Sequence, residues 1–217
     1  MKNLSPPHSL RAFQARASLL LGCLAGLLAG VPASATTVVP PEFDQLVNES
    51  DYIVRAVVKS VTSEFRAKGT GRKIYTSVEV EVREVIAGTP PVPLVLVMLG
   101  GQVGDEVMTL EGAPQFKVGD EDILFVRDNG RTIFPLFAIM HGRYPILKEK
   151  GTKREYVARS NQVPLQDTAE VVLPLTDGAA SELQRQTRST ESALTPDQFV
   201  QRVKSAVNPA YRRDRKK

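Results

Sequence analysis

Along residues 52 to 61, YIVRAVVKSV, apolar and polar positions alternate: Tyr52, Val54, Ala56 and Val58 share one face, Arg55 and Lys59 the other. IYTSVEVEVREV, residues 74 to 85, repeats the pattern. Ile74, Thr76, Val78, Val80 and Val82 oppose Tyr75, Ser77, Glu79, Glu81 and Arg83. A period of two marks half-buried antiparallel strands. Arg55 and Lys59 are placed to pair with Glu79 and Glu81 across them. The alternation breaks at Arg83-Glu84, which predicts a bulge or bend. The link, residues 63 to 73, holds Gly69, Gly71 and several bases, and reads as an exposed loop.

PLVLVML, 93 to 99, is apolar without alternation and predicts a central strand covered on both faces. ILFV, 123 to 126, predicts another buried strand. Asp128-Asn129-Gly130 carries the Asn-Gly hairpin signal. TIFPLFAIM, 132 to 140, is the expected return strand, kept to an edge or bulge by Pro135. RYPILKE and EYVAR supply two more short strands. Helical spacing appears near both ends. In PPEFDQLVNES, 40 to 50, Pro41 suits a first helical position, and Phe43, Leu46 and Val47 share a face. Thr195-Pro196-Asp197-Gln198 forms a capping box opening a second helix. Its apolar face is Phe199, Val200, Val203, Ala206 and Val207, and Pro209 ends it. The pattern predicts a mainly β fold: a small antiparallel OB-like barrel or sandwich over 36–159, with a short N-terminal helix and a C-terminal helix, 195–208. Residues 160–194 read as an irregular linker or strap, and 209–217 as a basic tail.

The first 35 residues read as a Sec-type signal peptide. Lys2, Arg11 and Arg16 precede an apolar run over 18–31 that is short for a membrane span. Ala33-Ser34-Ala35 supplies a cleavage site, so the expected location is periplasmic or extracellular. Cys23, the single cysteine, lies within that run and leaves with it. Bulky Leu21 two residues earlier argues against lipidation. The secreted chain then has no disulfide and depends on its core for stability. Its formal charge falls from +4 to +1, because three positives leave with the signal. The basic balance is therefore no argument for nucleic acid. Five bases in Tyr211–Lys217 allow at most a weak contact with an anionic surface.

Removal of His8 leaves His141 as the sole histidine. Without cysteine, His/Cys zinc sites and Cys-His nucleophiles are excluded. No serine sits in a G-x-S-x-G elbow. His141 reads most simply as a turn residue. Absent tryptophan and 6% aromatic residues make poor material for stacking sugars or single-stranded nucleic acid. No catalytic residue, metal site or cofactor is assigned.

The glycine- and acid-rich stretch GGQVGDEVMTLEGAPQFKVGDED, 100 to 122, matches neither a phosphate loop nor an EF-hand. It reads as turn chemistry. Gly100-Gly101 bend the end of a buried strand. Phe116 plugs the core between two turns, and the acids form a solvated rim. The order IYTSVEVEVREVIAG, GGQVGDEV, GAPQFKVGDEDILFV, HGRYP, YVAR resembles an uncharacterised secreted bacterial family with a GG…G-x-P-x-F-x-x-G-[DE]…F pattern. It is also loosely similar to the OB-type barrel of netrin-like domains and tissue metalloprotease inhibitors. That second likeness implies a barrel but carries over no inhibitory residue, because those inhibitors use an N-terminal cysteine absent here. The expected function is non-enzymatic: a secreted binding or protein-interaction module, with a secreted protease as the first partner considered. Its candidate rim is Gly100, Gly101, Asp105, Glu106, Phe116, Asp120, His141 and Tyr144. The alternatives are a carboxylate-based hydrolase and an envelope-associated structural protein.

Overall fold

The computed structural model describes residues 38–68, 71–176 and 178–214. The expected signal segment, with Cys23 and His8, and the final three residues of the tail lie outside them. The chain is mainly β. Strands β1 (Tyr52–Lys68), β2 (Gly71–Gly88), β3 (Leu94–Leu99), β4 (Gly101–Val103), β5 (Glu106–Met108), β6 (Glu121–Val126), β7 (Arg143–Lys148) and β8 (Glu155–Val157) follow in order. Six of them form one antiparallel sheet, in the order β3-β2-β1-β6-β7-β8. β4 and β5 pair only with each other. Among the described residues four α-helices accompany the strands: α1 (Phe43–Glu49), α2 (Gly178–Thr187), α3 (Pro196–Ala206) and α4 (Pro209–Asp214).

β1 and β2 form a long hairpin that extends from Tyr52↔Gly88 to Lys68↔Gly71. Ser63–Lys68 and Gly71–Lys73 therefore belong to its strands rather than to a loop. The pairing passes from Arg55↔Glu84 to Ala56↔Val82. Arg83 is thus the extra residue of a bulge where the alternation breaks. Two further register shifts, at Ile53/Val54 and Val58/Ser60, add to the bend. Lys59 reaches Glu81 at 3.3 Å. Arg55 turns instead to Glu121 on β6, at 2.6 Å; Glu79 and Glu81 lie further along, opposite Ser60 and Val57.

Both sheet faces are covered. On one face, Ile53, Ile123, Phe125, Tyr144 and Val157 pack against Leu46 and Val47 of α1 and Phe199, Val200 and Val203 of α3. Phe199 centres an aromatic cluster, 4.9 Å from the Tyr144 ring and 6.2 Å from that of Phe125. The capping box forms as expected: the Thr195 hydroxyl accepts from Gln198 N, and the Gln198 side chain accepts from Thr195 N. On the other face, Tyr52, Val54, Ala56, Val58, Val78, Val80, Leu94, Leu96, Leu124 and Val126 form a second core, closed by Phe116, Phe134 and Leu136.

Three sequence expectations are corrected. β3 is an edge strand, not a central one; its buried residues alternate, Leu94, Leu96 and Met98. The Asn-Gly turn starts no return strand, since residues 132–140 make only the isolated bridge Val126↔Leu136. The turn covers the β3 edge instead: Asn129 Nδ2 donates to Val95 O at 2.8 Å, and its Oδ1 accepts from Val97 N at 3.0 Å. Leu99 N donates to Ile133 O. Within 160–194, α2 forms and Val163, Leu165, Val171 and Leu194 are buried. The strap hydrogen-bonds beside β8: Val157 N donates to Leu194 O, and Leu165 N to Val157 O. The sheet does not close into a barrel; no pairing joins β3 to β7 or β8 among the described residues.

Asn129 acts as a one-residue strand on an exposed edge. Asn129→Ala is expected to cost about 1–3 kcal/mol, the penalty for two lost backbone partners. Urea denaturation measures the loss. Static light scattering should show concentration-dependent association, which Asn129→Gln should not prevent because its longer side chain misplaces the amide.

Candidate functional site

Past β3 the chain doubles back. Gly100 N donates to Ile74 O, extending the ladder by one bond. Gly100 and Gly101 then take φ of +100° and +132°, values that side chains disfavour. β4 crosses the face of the β1–β2 hairpin so closely that a Cβ on Gly101 would lie 2.3 Å from Thr76 Oγ1 and 2.4 Å from Ser63 Oγ. The β4–β5 ribbon returns over the same face, and residues 109–116 pass beside it.

These segments enclose a cavity of about 290 Å³. Val78, Met98 and Leu110 line it from the second core, with Phe116 as one wall. Val61 and Val107 line it as well and are solvent-exposed, 38% and 62%, so they form its lip. Its polar groups are neutral: the hydroxyls of Ser63, Thr76 and Thr109 and the amides of Gln102 and Gln115. No titratable side chain lines it among the described residues. Thr76 Oγ1 lies 2.9 Å from Ser63 Oγ and donates to Gly100 O at 2.6 Å. An exposed ion pair, Arg72 with Glu106, ties the ribbon to the hairpin.

The cavity wall is fixed from behind by Arg143. Its guanidinium, 8% exposed as a residue, lies 4.4 Å from the Phe116 ring centroid. Nε donates to Asp122 Oδ1 at 2.8 Å, Nη2 to Asp120 Oδ2 at 2.9 Å, and Nη1 to Gln115 O. Asp122 is 1% exposed, so the expectation of a solvated acidic rim fails here. Burial pushes its carboxyl above the usual range, against the pull of Arg143. A carboxylate locked in this way reaches no substrate.

The expected rim residues separate. Gly100, Gly101 and Phe116 line the cavity. Asp105 and Glu106 are exposed at the ribbon tip, and Asp120 is half-buried on Arg143. His141 and Tyr144 are buried, 7% and 2% exposed. Tyr144 belongs to the helical core on the opposite face; burial pushes its phenol up. His141 sits in the 3-10 turn Ile139–Gly142. The chain bends sharply there, with φ of 47° at Ala138 and 58° at Ile139. A Cβ on Gly142 would lie 2.8 Å from the Phe137 backbone. Burial first, and then the Arg159 guanidinium, lower the His141 pKa to about 4. The sequence reading missed Val61, Ser63, Thr76 and Met98 as site residues. One signal was present: Thr76, a hydroxyl, stands in the buried row between Ile74 and Val78.

Two outcomes are expected. Arg143→Met strands a buried carboxylate and should cost about 3–5 kcal/mol. Arg143→Met combined with Asp122→Leu should recover at least half, as read by denaturant titration. His141 takes its proton near pH 6.5 when unfolded and near 4 when folded. The unfolded state binds the extra proton between those values, so this contribution to stability falls as pH drops from about 6.5 to 4. Denaturation at pH 7 and pH 5 should show a shallower loss for His141→Gln than for wild type.

Among the described residues no helix is long and apolar enough to cross a membrane, and no group of three or more His, Cys, Asp or Glu is placed to hold a metal. No protein-family model matches the chain, and no curated protein matches it.

Proposed function

We propose that the chain is a secreted, non-enzymatic binding module that takes an apolar group of a partner protein into the cavity beneath β4–β5. The observation that carries this reading is the lining. It offers apolar surface and neutral hydrogen-bonding groups, with no acid or base among the described residues. General acid–base and carboxylate chemistry need a titratable group at the reacting atoms. A binding pocket needs an apolar body with a few polar groups to set orientation. The exposed Val61 and Val107 extend the apolar surface outward, as an interface around an anchoring residue requires. A secreted protease remains the first partner to test. A partly open OB-like arrangement is the finer fold proposal; the antiparallel meander β3-β2-β1, bent by three register shifts, supports it.

The test is a charge at the lip. Val61 is partly exposed on a strand, so Val61→Arg should fold normally by circular dichroism. Protein-linked resin is exposed to the organism's secreted fraction, and captured proteins are read by mass spectrometry. A partner held by wild type, and by the distant control Arg131→Ala, should be reduced at least tenfold by Val61→Arg. Capture that is indifferent to Val61→Arg would exclude the cavity as the binding site.

A further inference from the structure

The hydroxyls on the cavity wall have a fixed polarity. Thr76 Oγ1 lies 2.6 Å from the carbonyl oxygen of Gly100. A carbonyl only accepts, so Thr76 directs its single proton there. Ser63 Oγ, 2.9 Å from Thr76 Oγ1, must then be the donor of that pair. The relay runs Ser63 to Thr76 to Gly100, and both protons are committed. Lone pairs are what Ser63 retains, and among the described residues no other donor is directed at it. Gln102 Nε2 directs one of its two protons to Gly104 O at 3.0 Å; the donors left in the lining belong to the solvent-exposed Gln102, Thr109 and Gln115. The same cavity is lined by two thioethers, Met98 and Met108, and the Phe116 ring. Thioether sulfurs favour aromatic edges. The volume of about 290 Å³ exceeds the roughly 150 Å³ that suffices for benzene.

We infer that the cavity selects an aromatic body ending in a neutral hydrogen-bond donor: a phenol, carried by a tyrosine side chain of the partner protein. This rests on the cavity being the binding site. Acceptor-only groups placed against Ser63 meet its lone pairs and are disfavoured there. Carboxylates are disfavoured further, because no cation lines the cavity.

The probes are p-cresol, its near-isostere 4-fluorotoluene, which has no donor, and N-acetyl-tyrosinamide. Each is titrated into the protein and followed by amide chemical shifts. Both small probes should perturb residues 61–63, 98–102 and 107–116. p-Cresol should bind about three- to tenfold more tightly than 4-fluorotoluene, the worth of one hydrogen bond. In Ser63→Ala that advantage should vanish, with 4-fluorotoluene affinity kept within twofold. N-acetyl-tyrosinamide should show the same dependence on Ser63. An equal preference in wild type and Ser63→Ala would overturn the inference while leaving the cavity reading intact. So would tighter binding of 4-fluorotoluene by wild type, a comparison that needs no variant to fold. Absence of shifts at these residues with every probe would overturn both. Binding of p-cresol without N-acetyl-tyrosinamide would exclude the tyrosine of a partner in favour of a free phenol.

Discussion

One buried guanidinium organises the non-helical half of the molecule. Taking a charge out of water costs several kcal/mol unless each of its polar atoms finds a partner. Arg143 meets that condition only if β6, the 115–120 loop and β7 assemble together. Asp122 lies on β6, Asp120 and the Gln115 carbonyl on the loop, and Arg143 itself opens β7. The Phe116 ring lies against the guanidinium and adds cation–π attraction to apolar burial. A loop such as 115–120, which carries a lysine, a glycine and an acid, has little reason to fold over an apolar sheet. This one does so because its Asp120 and the Gln115 carbonyl, with Asp122 of β6, satisfy a cation that must be buried. The cavity wall is therefore a by-product of an electrostatic requirement on its far side.

The same logic explains why the sheet stays open. A sheet must hide its edges, and closure is one means among several. Here the β3 edge is met by the Asn129 side chain and by Ile133. The β8 edge is met by the strap through Leu165 and Leu194. With both edges occupied and each face carrying its own core, closure would add little. The three register shifts between β1 and β2 bend the hairpin so that its proximal half serves the cores and its distal half carries the cavity.

What the sequence disclosed follows from the range of each interaction. Period-two alternation, the Arg83 bulge and the Thr195 capping box involve neighbours in sequence, and each formed where the local pattern placed it. The errors came from partners far along the chain. Asp122 looked like a solvated acid because its cation is Arg143, 21 residues on. Asn129 looked like a hairpin turn because its real partners are Val95 and Val97. PLVLVML looked central because its second cover is a loop, which leaves no periodic trace. α2 escaped notice because it buries little; Ser181 is its one buried residue. The cavity was the least legible feature. Its residues come from β1, β2, β3, the Gly100–Gln102 stretch entering β4 and the 107–116 segment, and no short motif joins them. Only Gly100-Gly101 and the misplaced hydroxyl of Thr76 marked it.

Those marks are physically one feature. Gly101 has no Cβ where Ser63 Oγ and Thr76 Oγ1 stand. The missing atom lets β4 cross the hairpin, and it lets the two hydroxyls sit side by side and share a proton direction. A residue with a side chain at 101 would push the ribbon away or the hydroxyls apart. In the first case the cavity loses its roof; in the second it loses the acceptor that sets its preference. The backbone route and the chemistry of the pocket thus depend on the same glycine, so neither is free to change without the other.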